Sequence, residues 1–157
     1  MKSSDYCFTK CGVFSREGTM HRYLDTLGLP FIPKFYGYDK ERCVLTTQRI
    51  HGHCLADYYG DCYDDLPARI KLRIREIIKE LYKNGVVYPN IKGYNFIEDI
   101  NKKIWLVGFK HSFGVNNYKQ GFENEENDIV DYKEHLQFVK QFCFANDNDN
   151  DWNPYFA

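Results

Sequence analysis

A chain of 157 residues with 43% hydrophobic, 27% charged and 17% aromatic side chains and a net charge of −1 has the size and make-up of one globular domain. That excludes a disulfide-stapled miniprotein and a chain disordered throughout, and no apolar run reaches the roughly 18 to 20 residues needed to cross a bilayer. Charge is split along the chain, with 19 Lys and Arg against 13 Asp and Glu in residues 1 to 122 but 2 against 9 in residues 123 to 157; a solvated basic helix and an acidic terminus explain this more simply than a nucleic-acid surface.

The start, Met1-Lys2-Ser3-Ser4-Asp5-Tyr6, lacks the apolar stretch of a secretory signal, so a soluble, cytoplasmic protein is expected. From Ser15, Met20, Tyr23, Leu24 and Leu27 fall at helical spacing, with Gly28 as a stop before Pro30, which predicts a short amphipathic helix. Phe31 to Tyr38 and Cys43 to Ile50 are rich in β-branched and aromatic residues around a polar Asp39-Lys40-Glu41-Arg42 turn, the pattern of an antiparallel hairpin that Gly52 should end. Pro67 suits the first turn of a helix whose apolar face is Ile70, Ile74, Ile77, Ile78 and Leu81 and whose outer face carries Arg69, Lys71, Arg73, Arg75, Lys79 and Lys83. After Gly85 and a polar loop, Asn95 to Glu98 and Lys103 to Val107 read as a second hairpin across Asp99-Ile100-Asn101-Lys102. A last helix is predicted from about Asp128 to Cys143, with Ile129, Tyr132, Leu136, Val139 and Phe142 or Cys143 inward. The run Asn146-Asp147-Asn148-Asp149-Asn150-Asp151 favours turns, so residues 146–157 are expected to be an acidic Asn/Asp tail whose closing aromatics can dock back.

Six cysteines without a C-x-x-C pair fit free thiols in a reducing compartment. A zinc site drawn from Cys7, Cys11, His51, His53, Cys54 and Cys62 is the lesser reading, because the two histidines flank a strand instead of a tight knuckle.

Residues 67 to 110 run helix, loop, hairpin, Gly-Phe turn, and here the sequence resembles the protein-kinase-like superfamily. Asn84-Gly85-Val86-Val87-Tyr88-Pro89-Asn90-Ile91-Lys92-Gly93-Tyr94-Asn95-Phe96-Ile97 is similar to the helix-E end and catalytic loop H-R-D-x-K-x-x-N. The match puts Tyr88 in the His place, Pro89 in the Arg place, Asn90 at the catalytic Asp, Lys92 at the loop Lys and Asn95 at the metal-binding Asn. Ile104-Trp105-Leu106-Val107-Gly108-Phe109-Lys110 then resembles the strand entering D-F-G, with Gly108 at the Asp. Upstream, Val44 to Leu55 resembles the fifth strand and hinge, and Leu29 to Phe35 the segment after helix C; the similarity thus covers about Ser15 to Phe113.

The resemblance implies an α+β, protein-kinase-like fold: mostly the C-terminal-lobe core with a truncated N-terminal lobe. It divides a single domain of residues 1–145 into an N-lobe remnant at 15–50 and a reduced C-lobe at 55–145. It also implies loss of chemistry. Asn90 accepts a hydrogen bond but takes no proton, and Gly108 supplies no carboxylate for a hard cation. No G-x-G-x-x-G occurs, and Lys10 is the one candidate for the strand-three lysine. Spacing back from Pro30 puts the helix-C glutamate near Met20, which leaves Glu17 out of register and the ion pair unmade. With Asn90 and Gly108 degenerate, no catalytic set is intact. Lys10, Lys92 and Asn95 remain as weak nucleotide contacts, and no cofactor or metal is expected. The expected function is a catalytically inactive, kinase-like regulator or decoy binding a protein partner, a kinase or a kinase substrate. The alternative is a divergent ATP- and Mg²⁺-dependent phosphotransferase, and the third reading is a basic-faced nucleic-acid-binding domain. The many Asn, Lys, Ile, Tyr and Phe residues suit an AT-rich genome such as those of some large DNA viruses.

Overall fold

The computed structural model describes residues 7–115, 132–146 and 150–156. Strand β1 (Cys7–Lys10), helix α1 (Ser15–Thr26) and strands β2 (Phe35–Asp39) and β3 (Val44–Gln48) make the first layer, an antiparallel sheet in the order β1-β3-β2 with α1 against β2. The expected hairpin is present, but it starts later than the residue pattern suggests. Phe31 and Ile32 are buried in the core, and Pro33 has no N–H to give a ladder. β1 has no local signal of its own: it exists by pairing Cys7 with Gln48 and Lys10 with Leu45, a non-local contact that tertiary structure supplies.

Helix α1 is rotated from its apolar stripe. The buried positions are Glu17, Gly18, His21 and Leu24, whereas Tyr23 is exposed. Gly18 explains the orientation, since a Cβ there would stand 2.5 Å from the Tyr38 ring, and the Tyr38 hydroxyl donates to the Val13 carbonyl at 2.6 Å. Only a bare backbone lets β2 lie this close to the helix.

The second layer holds β4 (Gly52–Cys54), α2 (Leu55–Tyr59), α3 (Ala68–Lys83), β5 (Val86–Val87), β6 (Phe96–Asp99), β7 (Ile104–Leu106), β8 (Phe113–Gly114) and α4 (Tyr132–Phe144). Gly52, read from sequence as a strand breaker, opens β4 instead. A Cβ there would lie 2.1 Å from the Glu98 carbonyl oxygen, so glycine is what allows β4 to pair with β6. Sheet order is β4-β6-β7, with a separate β5-β8 pair. Ile70, Ile74, Ile77, Ile78 and Leu81 of α3 are all fully buried against α4, β5 and β7, at about 1.5–3 kcal/mol of transfer free energy each. On α4, Leu136, Val139, Phe142 and Cys143 face inward as expected; Asp128 to Asp131, with Ile129, and the side chain of Tyr132 lie outside the described residues.

The basic face of α3 is engaged within the protein. Arg69 donates to Glu98 at 2.9 Å, and the Arg75 guanidinium donates to the Cys143 carbonyl at 3.0 Å and to that of Ala145. Lys71 and Lys79 sit 5.3 Å over the rings of Tyr63 and Phe144. Tyr63 and Tyr88 are buried. All six cysteines are free thiols. Among the described residues no cluster of His, Cys, Asp or Glu could hold a metal, and no helix is long and apolar enough to cross a membrane.

Candidate functional site: the junction of the two layers

Four rings join the layers. Phe35 of β2 lies 5.8 Å from His21 of α1, His21 meets Phe109 edge-on at 5.2 Å, and Phe109 meets Tyr88 edge-on at 5.6 Å. Such tilted and edge-to-face contacts are the favoured aromatic geometries. His21 and Tyr88 carry the polar ends of the column. The His21 Nε2–H donates to the Pro33 carbonyl at 2.9 Å, and burial holds the imidazole below its ordinary pKa of 6.5, against the opposing pull of that hydrogen bond and of Glu17 and Asp25. The fully buried Tyr88 hydroxyl donates to the carbonyls of Val107 and, at 2.9 Å, Gly108. Burial keeps it protonated well above the usual tyrosine range. Tyr88 therefore grips the backbone of the Gly108-Phe109 turn while its ring supports Phe109.

Beside this column, the positions picked out by sequence come together. The Asn95 Nδ2 donates to the Asn90 carbonyl at 2.8 Å, and the Asn90 Oδ1 accepts from the Tyr94 hydroxyl at 3.0 Å. Gly108 has φ +75, and a Cβ placed on it would meet the Asn95 Oδ1 at 2.6 Å. The corner between residues 95 and 108 is thus filled by the Asn95 amide. Asn95 is buried and its amide is committed to the loop backbone. Lys92 is half-buried, and its carbonyl accepts from the Asn95 N–H at 3.1 Å.

Lys10 and Glu17 overturn the sequence expectation. The Lys10 Nζ lies 2.9 and 3.2 Å from the two carboxylate oxygens of Glu17, which is buried, and the ion pair is made. Spacing back from Pro30 misplaced the glutamate because α1 turns its Glu17–His21–Leu24 face, not its Met20–Tyr23 face, to the sheet. That i, i+4, i+7 spacing was the available signal.

Asn153 is a site residue that no local pattern revealed. Fully buried, it donates from Nδ2 to the Pro89 carbonyl at 2.6 Å and from its backbone N–H to the Ile91 carbonyl at 3.0 Å.

The chain superposes on the Cydia pomonella granulovirus kinase PK-1 with a TM-score of 0.57 at 13% identity, over 89% of this chain and 59% of that one. It superposes on a structure of the Rad53 kinase domain and SCD2 with a TM-score of 0.56 at 17% identity, over 86% of this chain and 53% of that one. The fold is protein-kinase-like. This chain spans between half and three fifths of the length of either neighbour. No protein-family model and no curated protein sequence matches it.

In this kinase-like frame, Lys10–Glu17 joins the first sheet to its helix, and the ring column joins that helix to the Gly108-Phe109 turn. The loop from Tyr88 to Asn95 presents amides and one lysine. These groups can accept and donate hydrogen bonds. They supply no carboxylate to take a proton or to bind a hard cation.

Proposed function

We propose that this protein acts by binding, as a catalytically inactive kinase-like regulator or decoy of a kinase or a kinase partner. The carrying observation is the corner of Gly108 and Asn95, where the amide oxygen lies 2.6 Å from the position a Cβ at 108 would take. An aspartate at 108 would have to displace that amide, and this chain carries glycine there instead. Loss of a general base costs about 10²–10⁴ in rate, and loss of the metal removes several kcal/mol more. The ion pair and ring column meanwhile keep a kinase-like surface in a defined shape, which is what a competitor for a kinase's partner needs. Six free thiols favour a reducing, intracellular setting, and a large-DNA-virus source fits the composition and the granulovirus neighbour.

The test is a protein-observed NMR titration with magnesium-ATP, paired with kinase assays in which the purified chain is added to an active protein-kinase domain. The expected results are no shifts specific to magnesium-ATP and dose-dependent inhibition that excess ATP does not relieve. Phosphate incorporation that disappears in Lys92→Ala would overturn the proposal.

One observation favours the second reading, a divergent phosphotransferase: Lys10 and Glu17 are joined at 2.9 Å, the arrangement that holds ATP phosphates in a kinase. The same titration separates the two readings. The nucleic-acid reading loses support because Arg69 and Arg75 spend their donors on Glu98 and on the end of α4.

A further inference from the structure

The described residues at the C-terminal end of the chain cross the back of the Tyr88–Asn95 loop. Trp152 stacks on Phe96 at 6.3 Å and meets Tyr63 edge-on at 5.0 Å. Gly93 brings the loop up to the indole: a Cβ on it would stand 3.4 Å from the Trp152 ring. Asn153 then binds the Pro89 and Ile91 carbonyls on either side of Asn90. Beyond it, Phe156 lies 4.9 Å from His111, which follows the Gly108-Phe109 turn, and 5.2 Å from His135 of α4.

Trp152 belongs to the core cluster and Asn153 is buried, but three features set this segment apart from the helices and sheets. It adds no strand to any sheet. Among the described residues its hydrogen bonds to the loop come from Asn153, one from the side chain and one from the backbone, while Asn150 donates to the Phe142 carbonyl at 3.1 Å. At its root, Asn150 and Asp151 border a solvent-open groove of about 320 Å³ lined also by Phe138, Gln141, Phe142 and Ala145. A segment outside every sheet, tied to the loop through one residue and rooted beside an open groove, can open locally as a cooperative unit.

We propose that Asn150–Phe156 is a strap that releases as a unit while the rest of the fold stays intact, and that Asn153 is the latch by which it sets the conformation of the Tyr88–Asn95 loop. Closed, the strap pins the two peptide groups around Asn90. Open, it frees the Pro89 and Ile91 carbonyls, uncovers the slot between Tyr63 and Phe96, and lets the loop depart from the geometry that Asn95 and Gly108 require. The inference stands whether the site binds a partner, a nucleotide or neither.

Native-state hydrogen exchange on the full chain tests this. In the wild type, the amides of Asn153, Ile91 and Asn95 are expected to exchange together, faster than those of Leu45 and Thr47 in β3 and of Ile74 to Leu81 in α3, and with a weaker denaturant dependence. Asn153→Ala should speed the three amides by about tenfold or more, the effect of losing a hydrogen bond of about 1.4 kcal/mol, and leave the others unchanged. Trp152 emission should shift to the red in a Trp105→Phe background. Exchange of the three wild-type amides only through global unfolding would overturn the proposal, and so would a uniform acceleration in Asn153→Ala. The wild-type measurement decides the matter even if the variant does not fold.

Discussion

A methyl group at Gly108 has two obstacles: a backbone φ of +75 and the Asn95 amide oxygen 2.6 Å from the Cβ position. Each is a separate cost, the first about 1 kcal/mol for an L side chain and the second steric. Gly108→Ala is therefore expected to lower stability by about 1–3 kcal/mol in urea titrations. In an Asn95→Ala background the steric part should vanish while the dihedral part stays, giving a coupling of at least about 0.5 kcal/mol. Additive effects would mean that the amide does not fill the corner. Lys10 argues the opposite case, of a charge that is needed. Glu17 keeps only 5% of its side-chain surface exposed while Lys10 keeps 41%, so removing the lysine strands a buried carboxylate, whereas removing the carboxylate's charge strands only a solvated ammonium. Lys10→Met is expected to cost about 1–3 kcal/mol, a range discounted for the exposed partner, and Glu17→Gln distinctly less. Equal costs in chemical denaturation would show that the pair acts as a surface contact.

Helix α1 contributes a pH-dependent group to the first layer. His21 is neutral in the fold because burial lowers its pKa below 6.5. The unfolded chain therefore binds more protons as pH falls through 6.5, and stability should fall with pH from that point until the folded-state pKa is passed. His21→Phe, which keeps a ring between Phe35 and Phe109, should flatten this acid limb when urea midpoints are compared from about pH 7.5 down to pH 5. An unchanged limb would place the titration elsewhere. The same helix shows why part of the site was hidden in the sequence. A stripe of apolar residues found the helix but chose Tyr23 for the inside, because Glu17 and His21 are polar residues doing core work, each satisfied by one partner that lies outside the helix. Helix α3, whose five buried positions are all apolar, was legible throughout. Gly52 misled for a related reason: its role comes from the Glu98 backbone 46 residues away, and local turn chemistry does not contain that information.

Across the whole molecule, the order of the weak motifs was more informative than any one of them. Tyr88, Asn90, Lys92, Asn95 and Gly108 were picked out by resemblance to the kinase motifs taken in order, and the fold brings Tyr88, Asn90, Asn95 and Gly108 to one corner. Asn153 and Trp152 were not, since chain distance says nothing about which distant residue closes on a loop. Charge behaves similarly. The sequence shows a basic helix face, yet the fold spends it on internal bonds, among which Arg75 holds the C-terminal end of α4 to α3 through the carbonyls of Cys143 and Ala145. Through these bonds the guanidinium caps the C-terminal end of α4. Arg75→Ala is accordingly expected to lower stability by about 1–3 kcal/mol, to speed exchange at the end of α4, and to leave retention on RNA or DNA filters at background across salt concentrations. A steep salt dependence of nucleic-acid retention in the wild type, lost in this variant, would instead mean that Arg75 faces phosphate in solution.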